Sequence, residues 1–211
     1  MNTFGYIVGH DYGFAPNPFG AACSLACCKA QLREAVRKAA SRDEAPNYVF
    51  GMGSGEGRLN MTGRCIWWMR VEQVTDFKSY FRDPLYASKK PYYGSATVDQ
   101  FGDNIYEWNE KAKRYLQHRS FHSHKDGSCN TKNYSPDNKS DAVLLSGDFG
   151  YYGTNAPKLP ANLAEEFTLK GLRSMKRNFS ASGKLKLVNW LREQGAGYQG
   201  DPASWGKLKV T

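Results

Sequence analysis

Short apolar runs rich in β formers, stretches of helical spacing and loops rich in glycine and proline succeed one another along the chain. Residues 4–8 form a run of β formers that predicts a first strand. Prolines and glycines across residues 13–20 exclude regular structure there. That loop is too apolar to hang in water and is expected to pack on the body of the domain. Leu25, Cys28, Leu32, Ala35, Val36 and Ala39 recur near helical spacing and predict a helix over residues 23–40. Residues 48–57 predict a strand running into a glycine-rich turn, and the aromatic, β-branched run 65–71 predicts its hairpin partner. Thr75 or Asp76 is placed to cap a short helix holding Phe77, Tyr80 and Phe81, which Asp83-Pro84 ends. Further strands are expected over residues 105–108 and 143–145, with an aromatic turn over 149–153. Residues 162–179 and 183–194 predict two helices, the second with a stripe of Leu185, Val188 and Leu191 beside Trp190. Together these elements predict an α+β fold: a mixed, strongly bent sheet or a small β barrel, with peripheral helices and a C-terminal helical pair. The absence of repeats or a low-complexity linker points to a single domain over residues 1–211, its basic helical part being about 161–211.

Composition adds a charge and an aromatic bias to this picture. The chain of 211 residues is 40% hydrophobic and 23% charged, which is ordinary for a globular protein. Lys and Arg outnumber Asp and Glu by 29 to 20, a net charge of +9 that suits a polyanionic partner, nucleic acid first. The 13 Tyr, 11 Phe and 5 Trp suit base stacking and a compact core equally. Five cysteines without regular spacing fit a reducing cytoplasm, with the thiols mostly buried as small apolar groups. No charged leader followed by a long apolar run is present, and no stretch has the length of a membrane span.

The candidate chemistry gathers in residues 101–153. His122-x-His124 has the alternation that would put both rings on one face of a strand. His124 is the candidate acid or base, steered by a carboxylate such as Asp103, Asp137 or, from the first loop, Asp11. Two histidines with Asp126 or Cys129 fall short of the converging ligands a metal needs, and Cys23-x3-Cys27-Cys28 lacks a second pair, so no metal and no cofactor is expected. Lys89-Lys90-Pro91-Tyr92-Tyr93 reads as an exposed basic and aromatic loop suited to phosphate and base. Tyr151, Tyr152 or Trp67 would stack on a base, and Asp103 and Asn104 would read its edge, with Asn17, Tyr106 and Ser123 as further contacts. The four glycines at 51, 53, 55 and 57 lack the Lys-Ser/Thr of a phosphate loop, so a hairpin turn is the better account of them.

Several of these runs occur together in one family. They are Gly13-Phe14-Ala15-Pro16-Asn17-Pro18-Phe19, Cys23 with Cys28-Lys29, Gly51-x-Gly53-Ser54 and Gly102-Asp103-Asn104-Ile105-Tyr106. Ser123-His124, Val143-Leu144-x-Ser146, Phe149-x-Tyr151-x-Gly153 and the closing Trp190-Leu191, Gly197-Tyr198, Pro202 and Trp205 complete the set. Over nearly its whole length the chain resembles the nucleotide modification associated domain 2 family, found in phages and bacterial mobile elements. It departs from the family at Ala45-Pro46-Asn47, where Gly-Asp is usual, and at His124-Lys125, where two histidines are usual. The order of short strands is also similar to PUA-like barrels such as EVE and ASCH domains, which hold modified bases in an aromatic pocket. The resemblance implies a protein that recognises or processes modified DNA bases or nucleotides. An enzyme using a His/Asp pair on such a base and a small phage protein binding a host protein are the alternatives. Nucleic acid or nucleotide is thus the expected partner, in a host cytoplasm.

Overall fold

The computed structural model describes residues 1–42, 45–55, 59–94, 96–172 and 174–207. The predicted α+β class is correct: helices alternate with an open mixed sheet, and no barrel closes among the described residues. The described residues divide into two compact units. One comprises Met1–Tyr12, Ala39–Val71 and Ser146–Thr211, the other Gly13–Lys38 and Glu72–Leu145.

The first unit is built on a sheet whose central strands are β1 (Asn2–Val8), β3 (Asn47–Gly53) and β4 (Cys65–Val71). β1 runs parallel to β3, and β3 pairs antiparallel with β4, the expected hairpin. Its glycines serve packing rather than phosphate: Gly51 lies opposite Trp67, and a Cβ there would stand 2.3 Å from the indole nitrogen. Gly57 lies outside the described residues. The edges are β10 (Met175–Lys176), beside β1, and β11 (Gly197–Tyr198), which β9 (Phe149–Tyr151) joins to β4. Helices α5 (Ala161–Phe167) and α6 (Ala181–Glu193) belong to this unit. The helix predicted over residues 162–179 stops at Phe167. Leu169 and Gly171 take positive φ, and the chain then turns into β10, which pairs with β1. On α6 the buried positions are Leu187, Val188 and Leu191, while Leu185 is exposed.

The second unit carries a three-stranded sheet in the order β2 (Cys23–Leu25), β8 (Ala142–Ser146), β5 (Gln73–Asp76). Around it lie α1 (Ala30–Ala40), α2 (Phe77–Arg82), α3 (Thr97–Gln100) and α4 (Thr131–Asp137), with the hairpin of β6 (Tyr106–Asn109) and β7 (Arg114–Gln117). Asp76 caps α2 by accepting from the Ser79 amide. The helix predicted from residue 23 begins only at Ala30. Residues 23–25 extend as β2, and Cys28 and Lys29 then adopt φ of 58° and 42°, which no right-handed helix contains. No described helix is long and apolar enough to cross a membrane.

Candidate functional site

Two polar clusters occupy the second unit. The first is sealed. Lys89, expected on an exposed loop, is only 2% exposed; its ammonium donates to Asn17 Oδ1 at 2.8 Å, Ser24 Oγ at 2.9 Å and Asn17 O at 3.1 Å. Asp103 accepts from Ser24 Oγ at 2.7 Å and Tyr80 OH at 2.8 Å. Burial pushes the Asp103 carboxyl up and the Lys89 ammonium down, each effect opposed by the charge of the other. Gly102 lets its segment approach the Lys89 backbone, where the Asn104 amide donates to the Lys89 carbonyl at 3.0 Å, because a Cβ at 102 would lie 2.3 Å from that oxygen. Asn104 donates to the carbonyls of Tyr80 and Tyr86. Four of the residues expected to meet substrate, Asn17, Lys89, Asp103 and Asn104, are therefore brought together, but as a buried network whose donors and acceptors serve one another.

The second cluster centres on a histidine, though not the expected one. Residues 121–124 form turns rather than a strand, so the rings of His122 and His124 do not share a strand face. His124 is exposed in a turn beside Asp126, and Ser123 hydrogen-bonds the carbonyls of Ser120 and His124. His122 is the ring that meets a carboxylate. Its Nδ1 lies 2.6 Å from Asp137 Oδ2, and its Nε2 lies 3.5 Å from Cys28 Sγ. Asp137, at the end of α4, also accepts from Tyr106 OH at 2.8 Å and from the Cys28 amide at 2.7 Å. Phe14 packs on the imidazole with centroids 4.6 Å apart, and Asn133 and Gln117 donate to the His122 carbonyl. The ring is thus held from both nitrogens, one face and its backbone.

Arg33 ties the cluster together from α1. Its fully buried guanidinium donates to the carbonyls of Cys28, Asp137 and Ser140, each at 2.8 Å, and to that of Ala142. One side chain therefore fixes the turn that carries Cys28 and the helix end that carries Asp137. The strained left-handed φ of Cys28, a residue with a Cβ, is held by these bonds.

Electrostatics favour a charged His122. Burial lowers its affinity for a proton, but the bonds to Asp137 and Cys28 outweigh that and push its pKa up to about 10. A pKa raised on folding stabilises the native state fully below the unfolded value near 6.5 and loses that contribution as pH rises toward 10. The melting temperature of the wild type should accordingly fall across that window more steeply than that of His122→Gln. Parallel profiles would contradict the assignment.

Of the cysteines, Cys23, Cys27 and Cys65 are buried, Cys28 is half-buried and Cys129 is exposed; all are free thiols. Burial pushes the Cys23 thiol up to about 12 and that of Cys27 well above its usual range. Cys27 Sγ, His122 and Asp137 have potential ligand atoms within 4.8 Å of one another and are the described residues that could hold a metal. The Cys27 thiol, however, already donates to the Asp103 carbonyl. The geometry best fits a thiol, an imidazole and a carboxylate in a line.

The remaining expected contacts lie elsewhere. In the first unit Asp11 accepts from Tyr151 OH and from the Ala203 amide at 2.9 Å. Tyr151, Tyr152 and Trp67, expected as stacking faces, are buried by the sheet itself. The Tyr152 hydroxyl accepts from Trp68 Nε1 at 2.8 Å, and Trp67 Nε1 donates to Tyr6 OH at 3.0 Å. Lys90 lies over the ring of Phe81, its Nζ 3.8 Å from the centroid. Sequence reasoning missed Cys28 and His122 as a pair. The available signal was the Cys28-Lys29 run together with a second histidine and Asp137.

A family model described as nucleotide modification associated domain 2 matches residues 1–209. No curated protein and no solved structure matches the chain.

Proposed function

We propose, from the premise that this chain belongs to the nucleotide modification associated domain 2 family, that it is an enzyme of nucleotide modification with Cys28 as its nucleophile. The observation that carries this reading is the unbroken line from Cys28 Sγ through both nitrogens of His122 to Asp137 Oδ2, at 3.5 and 2.6 Å. A nucleophile within reach of a base that a third group orients is the arrangement covalent catalysis requires. The thiol proton of Cys28 rests on His122 Nε2, in keeping with the charged imidazole, while Asp137 holds Nδ1 protonated and steadies the imidazolium.

The reaction class that uses all three groups is acyl or amide transfer on a base or nucleotide. Cys28 Sγ bonds to the carbonyl carbon, the bond to the leaving nitrogen or oxygen breaks, and His122 passes the thiol proton to that leaving group. Water or an amine then cleaves the thioester, giving its own proton to His122 and returning the thiol. Tyr106 and Arg33 are positioning residues, acting through Asp137 and the Cys28 turn.

The test is nucleoside mass spectrometry of modified DNA and of its mononucleotides after incubation with the protein. The wild type should change the mass of a modified nucleoside, and folded Cys28→Ala should not. Equal turnover by Cys28→Ala, or binding without any change in mass by the wild type, would refute the reading.

A further inference from the structure

Beside His122 the surface changes character. Phe121 is 41% exposed, its ring 6.4 Å from the imidazole and at 28° to it. Its inner side is backed by Phe14 and Phe101, with centroids at 5.7 and 5.2 Å. A large ring that stays this exposed while two buried rings, Phe14 and Phe101, fix its position is a platform. Two residues earlier, Arg119 lies with its guanidinium 4.5 Å from the centroid of the Tyr93 ring. That contact brings the 92–93 segment to the same place, where Tyr92 is 62% exposed and Tyr93 is 37% exposed.

We propose that Phe121, Arg119, Tyr93 and Tyr92 form a track for single-stranded nucleic acid that delivers one base to Cys28. This rests on the thiol-enzyme reading above and adds the substrate class, a strand rather than a free nucleotide. Phe121 stacks on the reacting base beside His122. Arg119 is at most about 7 Å away along the chain. It meets the adjoining phosphate, and the tyrosines stack on a neighbouring base. Aromatic faces interleaved with a cation are what a single strand binds, because every base has a π-face and every linkage a charge. A mononucleotide would use only the first position and leave the tyrosines without a partner. A duplex would keep its bases away from Phe121. The net charge of +9 is of the complementary sign.

The test is fluorescence anisotropy with a short fluorescein-labelled oligothymidylate, its uridine counterpart and a duplex of equal length, each at several salt concentrations. One or both single strands should bind at least about tenfold more tightly than the duplex, the better one identifying DNA or RNA as the substrate strand. Phe121→Ala and Tyr93→Ala should each weaken single-strand binding roughly tenfold while remaining folded by circular dichroism at the assay temperature. Arg119→Ala should lower the slope of log affinity against log salt by about 0.7. Equal binding of duplex, full binding by Phe121→Ala, or competition by thymidine monophosphate as strong as by the oligonucleotide would overturn the proposal. Loss of strand binding on Phe121→Ala alongside normal turnover by Cys28→Ala would uphold the track and sink only the thiol chemistry. Turnover that depends on Cys28 but works equally well on mononucleotides would do the reverse.

Discussion

Arg33→Met is expected to destabilise the second unit by about 3–5 kcal/mol, read as a fall in the urea midpoint. The guanidinium donates to four carbonyls, of Cys28, Asp137, Ser140 and Ala142, and Arg33 is fully buried. Met fills much of the volume but satisfies none of those acceptors. Each buried group left unpaired costs about 1–3 kcal/mol, partly offset by no longer burying a cation. Arg33→Lys should recover only a fraction, since a single ammonium cannot reproduce the planar fork that spans both segments. A loss below about 1 kcal/mol for Arg33→Met would mean that these carbonyls find water or relax.

Cys28→Ala should reduce kcat/KM by roughly 10³–10⁴ on the modified-base substrate, and His122→Ala by a similar factor. Neither residue works without the other, so the double variant should be no worse than the poorer single one. Asp137→Asn should impair turnover and also stability. Asp137 Oδ1 accepts from the Cys28 amide, and Oδ2 meets both Tyr106 OH and His122 Nδ1. Stability should barely change in Cys28→Ala, which keeps the backbone bond to Asp137. Additive losses in the double variant would show that the two side chains act separately.

Much of the fold was legible because its strands are runs of β-branched and aromatic residues. Residues 4–8, 48–53 and 65–71 declare themselves by composition, and Asp76 before Phe77 by its capping chemistry. The first helix was misplaced because Cys23-Ser-Leu-Ala-Cys-Cys28 is apolar and small enough to fit either period. What delays α1 to Ala30 is a left-handed backbone at Cys28 and Lys29, the turn being held by bonds to Asp137 and Arg33. Non-glycine residues carry no local signal of that conformation. The same long-range bonds explain the histidine. Alternation put both histidines on one face and His124 was the expected acid or base, but it is Asp137, 15 residues on, that selects His122. Lys89 reads as solvent-facing beside Lys90 and two tyrosines. Asn17, 72 residues earlier, and Ser24 bury it. Asp103 and Asn104 were expected to read the edge of a base, and their place in a sealed network is a packing outcome that composition does not encode.

The central claim is that His122 activates Cys28, and site-resolved alkylation tests it without knowledge of the substrate. Iodoacetamide is applied at neutral pH, and the modification rate of each cysteine is followed by peptide mass spectrometry. Cys129 is exposed and serves as the internal reference, while Cys23, Cys27 and Cys65 are buried and should stay unmodified in the folded chain. Cys28, although half-buried, should react at least about tenfold faster than Cys129 and fall below it in His122→Ala. Cys28 reacting more slowly than Cys129 in the wild type, or at the same rate with and without the imidazole, would contradict the account.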